Sequence, residues 1–252
     1  MKHIKKKFLG KQKVSPDLVK NMMDINLTAE SEDLKIDEMV VWGLNEDDEF
    51  ISMFTLKDGR NNYIMPEPDL VVCMFEMGRQ NSLRVPELRK KLLSSLNSTH
   101  DTFVATNEFY SSTSIAAISL INAMESFINR IIPNGFKFEL ETAKNTTIQN
   151  KKQIERHTSF EYKIKEIIPK ALGKNFHLSF PSQYNAIIAL KELRDEMTHM
   201  KSYNESERPL TYAEIYNLAF KIDYMKSLNA VKTYINHYTE NLIEPCPCGN
   251  DL

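Results

Sequence analysis

The residues with the clearest chemical potential lie in one segment, residues 186–200, where Arg194, Asp195 and His199 occur together. An arginine carries a planar fork of donors that matches the oxygens of a phosphate. Histidine is the side chain whose ordinary pKa lies near neutrality, so it can give or take a proton at physiological pH. The segment therefore has the groups needed to bind a phosphate and to move a proton beside it.

The spacing of apolar residues in this segment predicts an amphipathic helix. Successive members of the apolar set are four, three, four and three residues apart: Ala186, Leu190, Leu193, Met197 and Met200. This is one continuous stripe on a helix. Ile188 falls on the opposite face, where a solvated helix carries a polar residue. We therefore expect a second buried face, as in an interface with a partner.

The helix also restricts how the three polar residues can cooperate. Asp195 and His199 are four residues apart, so their side chains are neighbours nearly opposite the apolar stripe. Arg194 lies on the flank of the stripe, about 140° from His199. The two cannot easily reach one phosphate from a straight helix. Either the helix loosens near Thr198, or two copies of the chain face each other and pool these residues.

A second polar set interrupts a long apolar segment, residues 109–132, which ends at Pro133-Asn134-Gly135. Because the segment is apolar almost all round, it predicts a central helix. Its exceptions lie within about 60° of one another on that helix: Asn122, Glu125 and Asn129. One polar stripe on a buried helix is a candidate for the other wall of a site.

With four predicted helices, Glu125-x3-Asn129 on the first and Arg194-x4-His199 on the third, the chain resembles the HEPN family. These are small α-helical domains, many of them ribonucleases of toxin–antitoxin, CRISPR and abortive-infection systems. The resemblance covers about residues 101–240. It implies a metal-independent endoribonuclease in a toxin or antiphage-defence setting. The partners that it implies are an RNA substrate, a second copy forming a homodimer, and a cognate antitoxin or regulatory protein.

The resemblance also implies a role for each candidate residue. Arg194 would bind the scissile phosphate and His199 would be the general acid or base. Asp195 would orient His199, and Glu125 would hold Arg194 or join the site. We assign the remaining candidates to substrate binding: Asn122, Asn129 and Lys191.

The sequence also allows two interpretations without catalysis. Arg194 and Glu125 form an ordinary interhelical ion pair in the first, and Asp195 and His199 form a surface pair worth a few tenths of a kcal/mol. The chain would then be a catalytically inactive HEPN-like module that binds a partner protein or nucleic acid. In the second, the protein is an adaptor whose N-terminal hairpin region is the working part.

The predicted fold is mainly α, with a C-terminal four-helix HEPN-like bundle over residues 99–243. A small α+β region precedes it over residues 1–98, with a β-hairpin formed by residues 39–44 and 50–56 and a third strand near 63–65. This region is a candidate for sensing or regulation. Further expectations are a helix starting at Val85, a loop at 136–150, a helix at 153–172, and a last helix from a capping box at Thr211 to about His237.

The C-terminal tail, residues 244–252, contains Cys246 and Cys248. Cys246-Pro-Cys248-Gly is similar to the first half of the zinc motif of the SecA translocation ATPase. Zinc takes four ligands, and this tail supplies two. The resemblance implies zinc at these cysteines, while the alternative is a degenerate motif in a tail without metal. We expect no cofactor elsewhere.

Composition excludes several classes of protein. A net charge of −2 does not indicate a nucleic-acid partner through the overall field. The longest apolar stretch falls short of the roughly 20 residues of a membrane span, and the basic N-terminus lacks the apolar region of a secretory signal. Three cysteines, two of them crowded at one end, are typical of a reducing compartment. We therefore expect a cytoplasmic protein without membrane contact.

Overall fold

A computed structural model describes residues 11–12, 42–44, 50–96, 98–141, 146–198 and 208–244. The chain forms two compact units, Met1–Cys73 and Met74–Leu252. Residues 98 and 99, the predicted boundary, lie at the connection between the first two long helices. The predicted fold class, mainly α with a small β region, is confirmed.

The first unit contains the predicted hairpin and its third strand. Its strands are β1 (Lys11–Gln12), β2 (Trp42–Leu44), β3 (Phe50–Asp58) and β4 (Asn61–Pro66). Strand β3 pairs antiparallel with each of the other three. Gly59, in the turn between β3 and β4, has a φ of +60°, a backbone conformation that glycine adopts at no steric cost.

Helix α1 (Leu70–Ser94) begins before the predicted start at Val85 and runs through Pro86. That prediction was wrong because proline normally ends a helix, by removing one backbone hydrogen bond and clashing with the preceding turn. Here apolar burial on both sides of the proline keeps the helix continuous. Val85 is 5% exposed and Leu92 is 6% exposed, on the same face.

Helix α2 (Thr99–Ile131) is the long helix predicted from the apolar segment, and it starts ten residues earlier than residue 109. Its first turn is capped by Ser98, whose hydroxyl accepts a hydrogen bond from the backbone N–H of Asp101. Ile132, the residue before Pro133, has an extended backbone and ends the helix.

Helices α1 and α2 form an antiparallel hairpin. Three contacts along its length establish the direction: Gly78 with Leu120, Lys91 with Glu108, and Ser95 with Thr102. From Gly78 to Ser95, which directly follows α1, successively later residues meet successively earlier residues of α2. Gly78 lies so close to Leu120 that a Cβ built on it would be 2.5 Å from Leu120 Cγ and 3.2 Å from the Leu120 backbone nitrogen.

This close approach predicts that Gly78→Ala destabilises the protein by about 1–3 kcal/mol. Helix propensity alone would favour alanine by about 1 kcal/mol, but Leu120 is fully buried and cannot move away. Urea unfolding measures the change. Gly135→Ala is the control, since a Cβ at Gly135 meets nothing within 4 Å. An equal or greater stability for Gly78→Ala would contradict the close packing of α1 on α2.

The remaining elements of the second unit follow in chain order. They are β5 (Lys137–Glu141), β6 (Thr146–Asn150), α3 (Lys151–His157), α4 (Phe160–Tyr162), a π-helical turn (Lys163–Ile167), α5 (Ile168–Leu172), α6 (Phe176–Ser179), α7 (Pro181–Thr198), α8 (Arg208–Lys221) and α9 (Tyr224–Tyr238). Helices α2, α7 and α9 pack against one another, and α8 packs on α7.

The loop predicted at residues 136–150 is a β-hairpin, because β5 and β6 pair antiparallel from Lys137 with Asn150 to Glu141 with Thr146. The segment was predicted to be a loop because it is rich in Asn, Thr and Lys, and one of its residues belongs to the core. Phe138 is 2% exposed, its ring meets that of Tyr162 edge-on, and the ammonium of Lys170 lies 4.6 Å from its centroid.

Two predicted helices are interrupted. The helix expected at 153–172 breaks after His157, where Ser159 caps a new start by accepting a hydrogen bond from the backbone N–H of Tyr162. The last helix begins at Arg208, before the predicted capping box at Thr211, and divides at residues 222–223. Asp223 caps α9, with its carboxylate accepting from the backbone N–H of Lys226 at 2.9 Å. At both breaks, a side-chain cap starts a new helix within a segment whose apolar periodicity predicts one continuous helix.

The core of the second unit contains a tyrosine, Tyr234 on α9, that packs edge-on against Phe127 of α2. Tyr234 is fully buried, and its hydroxyl has no hydrogen-bond partner among the described residues. Burial, which disfavours the phenolate, raises the pKa of Tyr234 well above its usual value. Burial likewise raises the pKa of Tyr216 to about 12.

These tyrosines predict that stability falls as pH rises above about 10, where unfolded tyrosine ionises. The folded chain keeps its protons there and the unfolded chain loses them, so the slope of stability with pH is negative. Tyr234→Phe should reduce this loss and change stability at pH 7 by less than about 1 kcal/mol. Urea unfolding at neutral and alkaline pH measures both. The exposed Tyr212 provides the control Tyr212→Phe, and equal alkaline losses in both variants would contradict the prediction.

Candidate functional site

The structure brings Arg194 of α7 to Glu125 of α2, two residues 69 positions apart in the chain. Arg194 Nη2 donates to Glu125 Oε1 at 2.5 Å. The arginine side chain is 16% exposed and the glutamate 40%. Leu190 and Leu193, both fully buried, anchor this face of α7 in the core. Arg194 therefore lies at the edge of the core with its guanidinium held from a second helix.

Asp195 contacts two cations. Its Oδ1 lies 3.2 Å from Arg194 Nη1 and its Oδ2 lies 2.8 Å from Lys191 Nζ, one helical turn earlier. Lys191 also approaches Glu161 Oε1 at 3.8 Å. Both oxygens of the carboxylate that we predicted to orient His199 thus face positive charge. His199 itself lies outside the described residues, so its contact with Asp195 stays a prediction.

The last described turn of α7 has an additional hydrogen bond. The hydroxyl of Thr198 donates to the backbone carbonyl of Arg194 at 2.8 Å. A threonine that bonds back to the carbonyl four residues earlier tends to bend a helix. This bond lies at Thr198, where loosening of the helix is one of the two predicted ways to bring Arg194 and His199 to one phosphate.

Asn129 of α2 meets a buried lysine that sequence reasoning missed. Lys163, 7% exposed, donates from Nζ to Asn129 Oδ1 at 3.0 Å and to the backbone carbonyl of Glu155 at 3.0 Å. It is the first residue of the π-helical turn, and such turns occur often at functional sites. The signal was a lysine inside the apolar run of Phe160, Ile164, Ile167 and Ile168.

Burial lowers the pKa of Lys163, while the carboxylates of Glu125 and Glu155 act to raise it. Folding therefore disfavours the charged lysine, at a cost that decreases once pH rises above the folded pKa and is lost above the unfolded pKa. This contribution to stability rises with pH, opposite in sign to that of the tyrosines. It also links Lys163 electrostatically to Glu125, the partner of Arg194.

The remaining candidate residues are Asn122 on α2 and the two cysteines of the tail. Asn122 lies one turn before Glu125 on α2, is half-buried, and makes no side-chain hydrogen bond within the described part of the chain. Cys246 and Cys248 lie outside the described residues, so zinc at the tail stays a prediction. Nowhere in the described ranges do three or more His, Cys, Asp or Glu side chains group as metal ligands.

Comparison of the chain with family models, curated proteins and solved structures finds no match. Of the helices that the structure describes, none combines the length and the apolar character needed to cross a membrane. Three groups define the chemistry that this site offers. They are one guanidinium fixed between two carboxylates, a polar stripe on α2, and the connection from Thr198 to His199.

Proposed function

We propose that this protein is a metal-independent endoribonuclease of the HEPN type, acting in the cytoplasm in a toxin or antiphage-defence setting. The observation that carries the proposal is the contact of Arg194 with Glu125. It holds the guanidinium of Arg194, the proposed phosphate ligand, on the helix whose sequence continues to His199, the proposed general acid or base. A guanidinium held in place before substrate arrives stabilises developing charge without reorganisation.

The reaction needs no metal because RNA carries its own nucleophile. The 2′-OH attacks the adjacent phosphorus, the bond from phosphorus to the 5′ oxygen breaks, and a 2′,3′-cyclic phosphate and a 5′-OH result. One proton leaves the 2′ oxygen and one is added to the 5′ oxygen. Arg194 binds the non-bridging oxygens, and His199 serves as the general acid or base. Asp195 orients His199, and Glu125 positions Arg194.

We assign substrate contacts to the three other polar candidates near Arg194. Lys191 lies one turn before Asp195 on α7 and attracts the RNA backbone, as lysines near phosphate do. Asn122 and Asn129 on α2 offer amide groups to the nucleotide. A homodimer brings a second Arg194 and His199 to the same cleft, which removes the angular problem of a single helix. A cognate antitoxin or regulatory protein would restrain this activity.

The product identifies the mechanism. The purified full chain, incubated with RNA in the presence of a chelator, should yield fragments ending in 2′,3′-cyclic phosphate. The same sequence with 2′-O-methyl groups should remain intact, because its nucleophile is blocked. Cleavage that requires added metal, or that also occurs in the methylated RNA, would refute the proposal.

A second candidate rests on the charge pairing in the cluster. Both oxygens of Asp195 and the ammonium of Lys191 already have partners of opposite charge, as in a structural ion network. The chain is then an inactive HEPN-like module that binds a partner protein or nucleic acid. In that case growth toxicity on expression, if present, should persist in His199→Ala.

A further inference from the structure

A groove on the second unit lies away from Arg194, where the residue preceding α7 meets the C-terminal half of α9. Its volume is about 490 Å³, within the range of small-molecule sites. Phe180 and five residues of α9 line it. Phe180 and Arg194 are separated by the length of α7 between them, about 20 Å at 1.5 Å per residue. The groove is therefore a separate site.

The lining combines aromatic rings with one cation. The rings of Phe180 and His237 have centroids 5.5 Å apart and meet at 76°. Phe176 stacks on the buried side of Phe180. Burial and the charge of Lys174 lower the pKa of His237, which favours the neutral ring. Because the two rings meet edge to face, they form an apolar corner of the groove, against which one flat aromatic group can pack.

The polar side of the groove is unusually free of internal partners. Lys232 and Asn229 make no side-chain hydrogen bond or ion pair within the described residues, and no acidic side chain lines the groove. Thr233 donates its hydroxyl to the backbone carbonyl of Asn229 and keeps its acceptor sites. A cation, an amide and a hydroxyl thus stand beside the apolar corner.

We infer that this groove binds a nucleoside monophosphate. The base packs into the corner formed by the rings of Phe180 and His237, the phosphate pairs with Lys232, and Asn229 and Thr233 hydrogen-bond the sugar or the base edge. Each part of the ligand has a matching group, and neither an uncharged nucleoside nor phosphate alone uses both sides of the groove. Asn236 contributes only shape, because its amide is bonded at both ends to the backbone of Ile243.

Ligand-observed NMR on the full chain, with uridine and adenosine monophosphates as probes, tests this inference. We expect saturable binding with a dissociation constant of the order of 1 mM or tighter. Lys232→Gln should weaken binding about fivefold, as expected for loss of an exposed ion pair. Lys226→Gln, an exposed lysine on the same helix outside the groove, is the matched control and should bind like the parent. Near-UV circular dichroism checks that both variants fold.

Three results would overturn the inference. One is the absence of saturable binding to the parent chain. Another is equal weakening by Lys232→Gln and Lys226→Gln, which would indicate attraction by overall charge. The third is competition by uridine or inorganic phosphate as strong as that of the monophosphate. Because Arg194→Ala leaves the groove intact, nucleotide binding by that variant separates this inference from the proposed cleavage.

Discussion

His199→Ala and Arg194→Ala should each reduce RNA cleavage at least a hundredfold, while the chain remains folded. General acid–base catalysis by one side chain typically contributes a factor of about 10²–10⁴, and a donor aimed at developing charge contributes about 10²–10³. Arg194→Lys should recover little activity, since an ammonium keeps the charge without the planar fork. Initial cleavage rates of a labelled RNA, measured with a chelator present, give these ratios.

Matched controls for these substitutions lie next to each other on α3. Arg156 and His157 are exposed and belong to no part of the cluster around Arg194. Arg156→Ala and His157→Ala should therefore cleave RNA at the parental rate. If His199→Ala and Arg194→Ala also retained the parental rate, the catalytic roles proposed for them would be excluded. The inactive-module interpretation would then account for the cluster.

The second large effect concerns stability. Glu125→Ala should lower the free energy of unfolding by about 1–3 kcal/mol, because it leaves the mostly buried guanidinium of Arg194 without its interhelical partner. The glutamate is 40% exposed, which keeps the loss below that of a fully buried pair. The double variant Glu125→Ala/Arg194→Ala should lose less than the sum of the two single losses. Urea unfolding of the four proteins gives the coupling energy.

Glu161→Ala is a close control for this cycle. Glu161 is 41% exposed, nearly the same as Glu125, and its contacts with Lys165 and Lys191 are longer, at 4.0 and 3.8 Å. Its removal should cost less than about 0.5 kcal/mol. Equal losses for Glu125→Ala and Glu161→Ala would show that Arg194 is held by something other than Glu125.

The contact between Arg194 and Glu125 was accessible to sequence reasoning because both residues interrupt long, regular patterns. Residues 109–132 are apolar almost all round and residues 186–200 have clear apolar periodicity, so a polar residue on either stands out and can be assigned to a face. The elements between these two segments are too short to contain such a pattern. Strand β5 alternates, with Phe138 and Leu140 between charged residues, but β6 contains one apolar residue, Ile148, and so shows no strand pattern.

Lys163 shows what pattern reading misses. A lysine at an apolar position ordinarily extends its ammonium into solvent. Lys163 instead donates to two oxygen acceptors, Asn129 Oδ1 and the backbone carbonyl of Glu155. The packing of the helices brings these acceptors to Lys163, and the sequence alone does not show which helices pack together. The π-helical turn that begins at Lys163 is a backbone detail with no residue signature of its own. Only the folded arrangement could reveal this member of the cluster.

The separation of 69 residues between Glu125 and Arg194 also orders events during synthesis. The α1–α2 hairpin closes through contacts between neighbouring segments, so it can form while the rest of the chain is still being made. The pairing of α2 with α7 requires a much longer loop to close. A nascent chain that ends before residue 194 has one wall of the site and lacks the guanidinium. If this protein is a ribonuclease harmful to its host, the ribosome that makes it is not exposed to its activity until most of the chain has been completed.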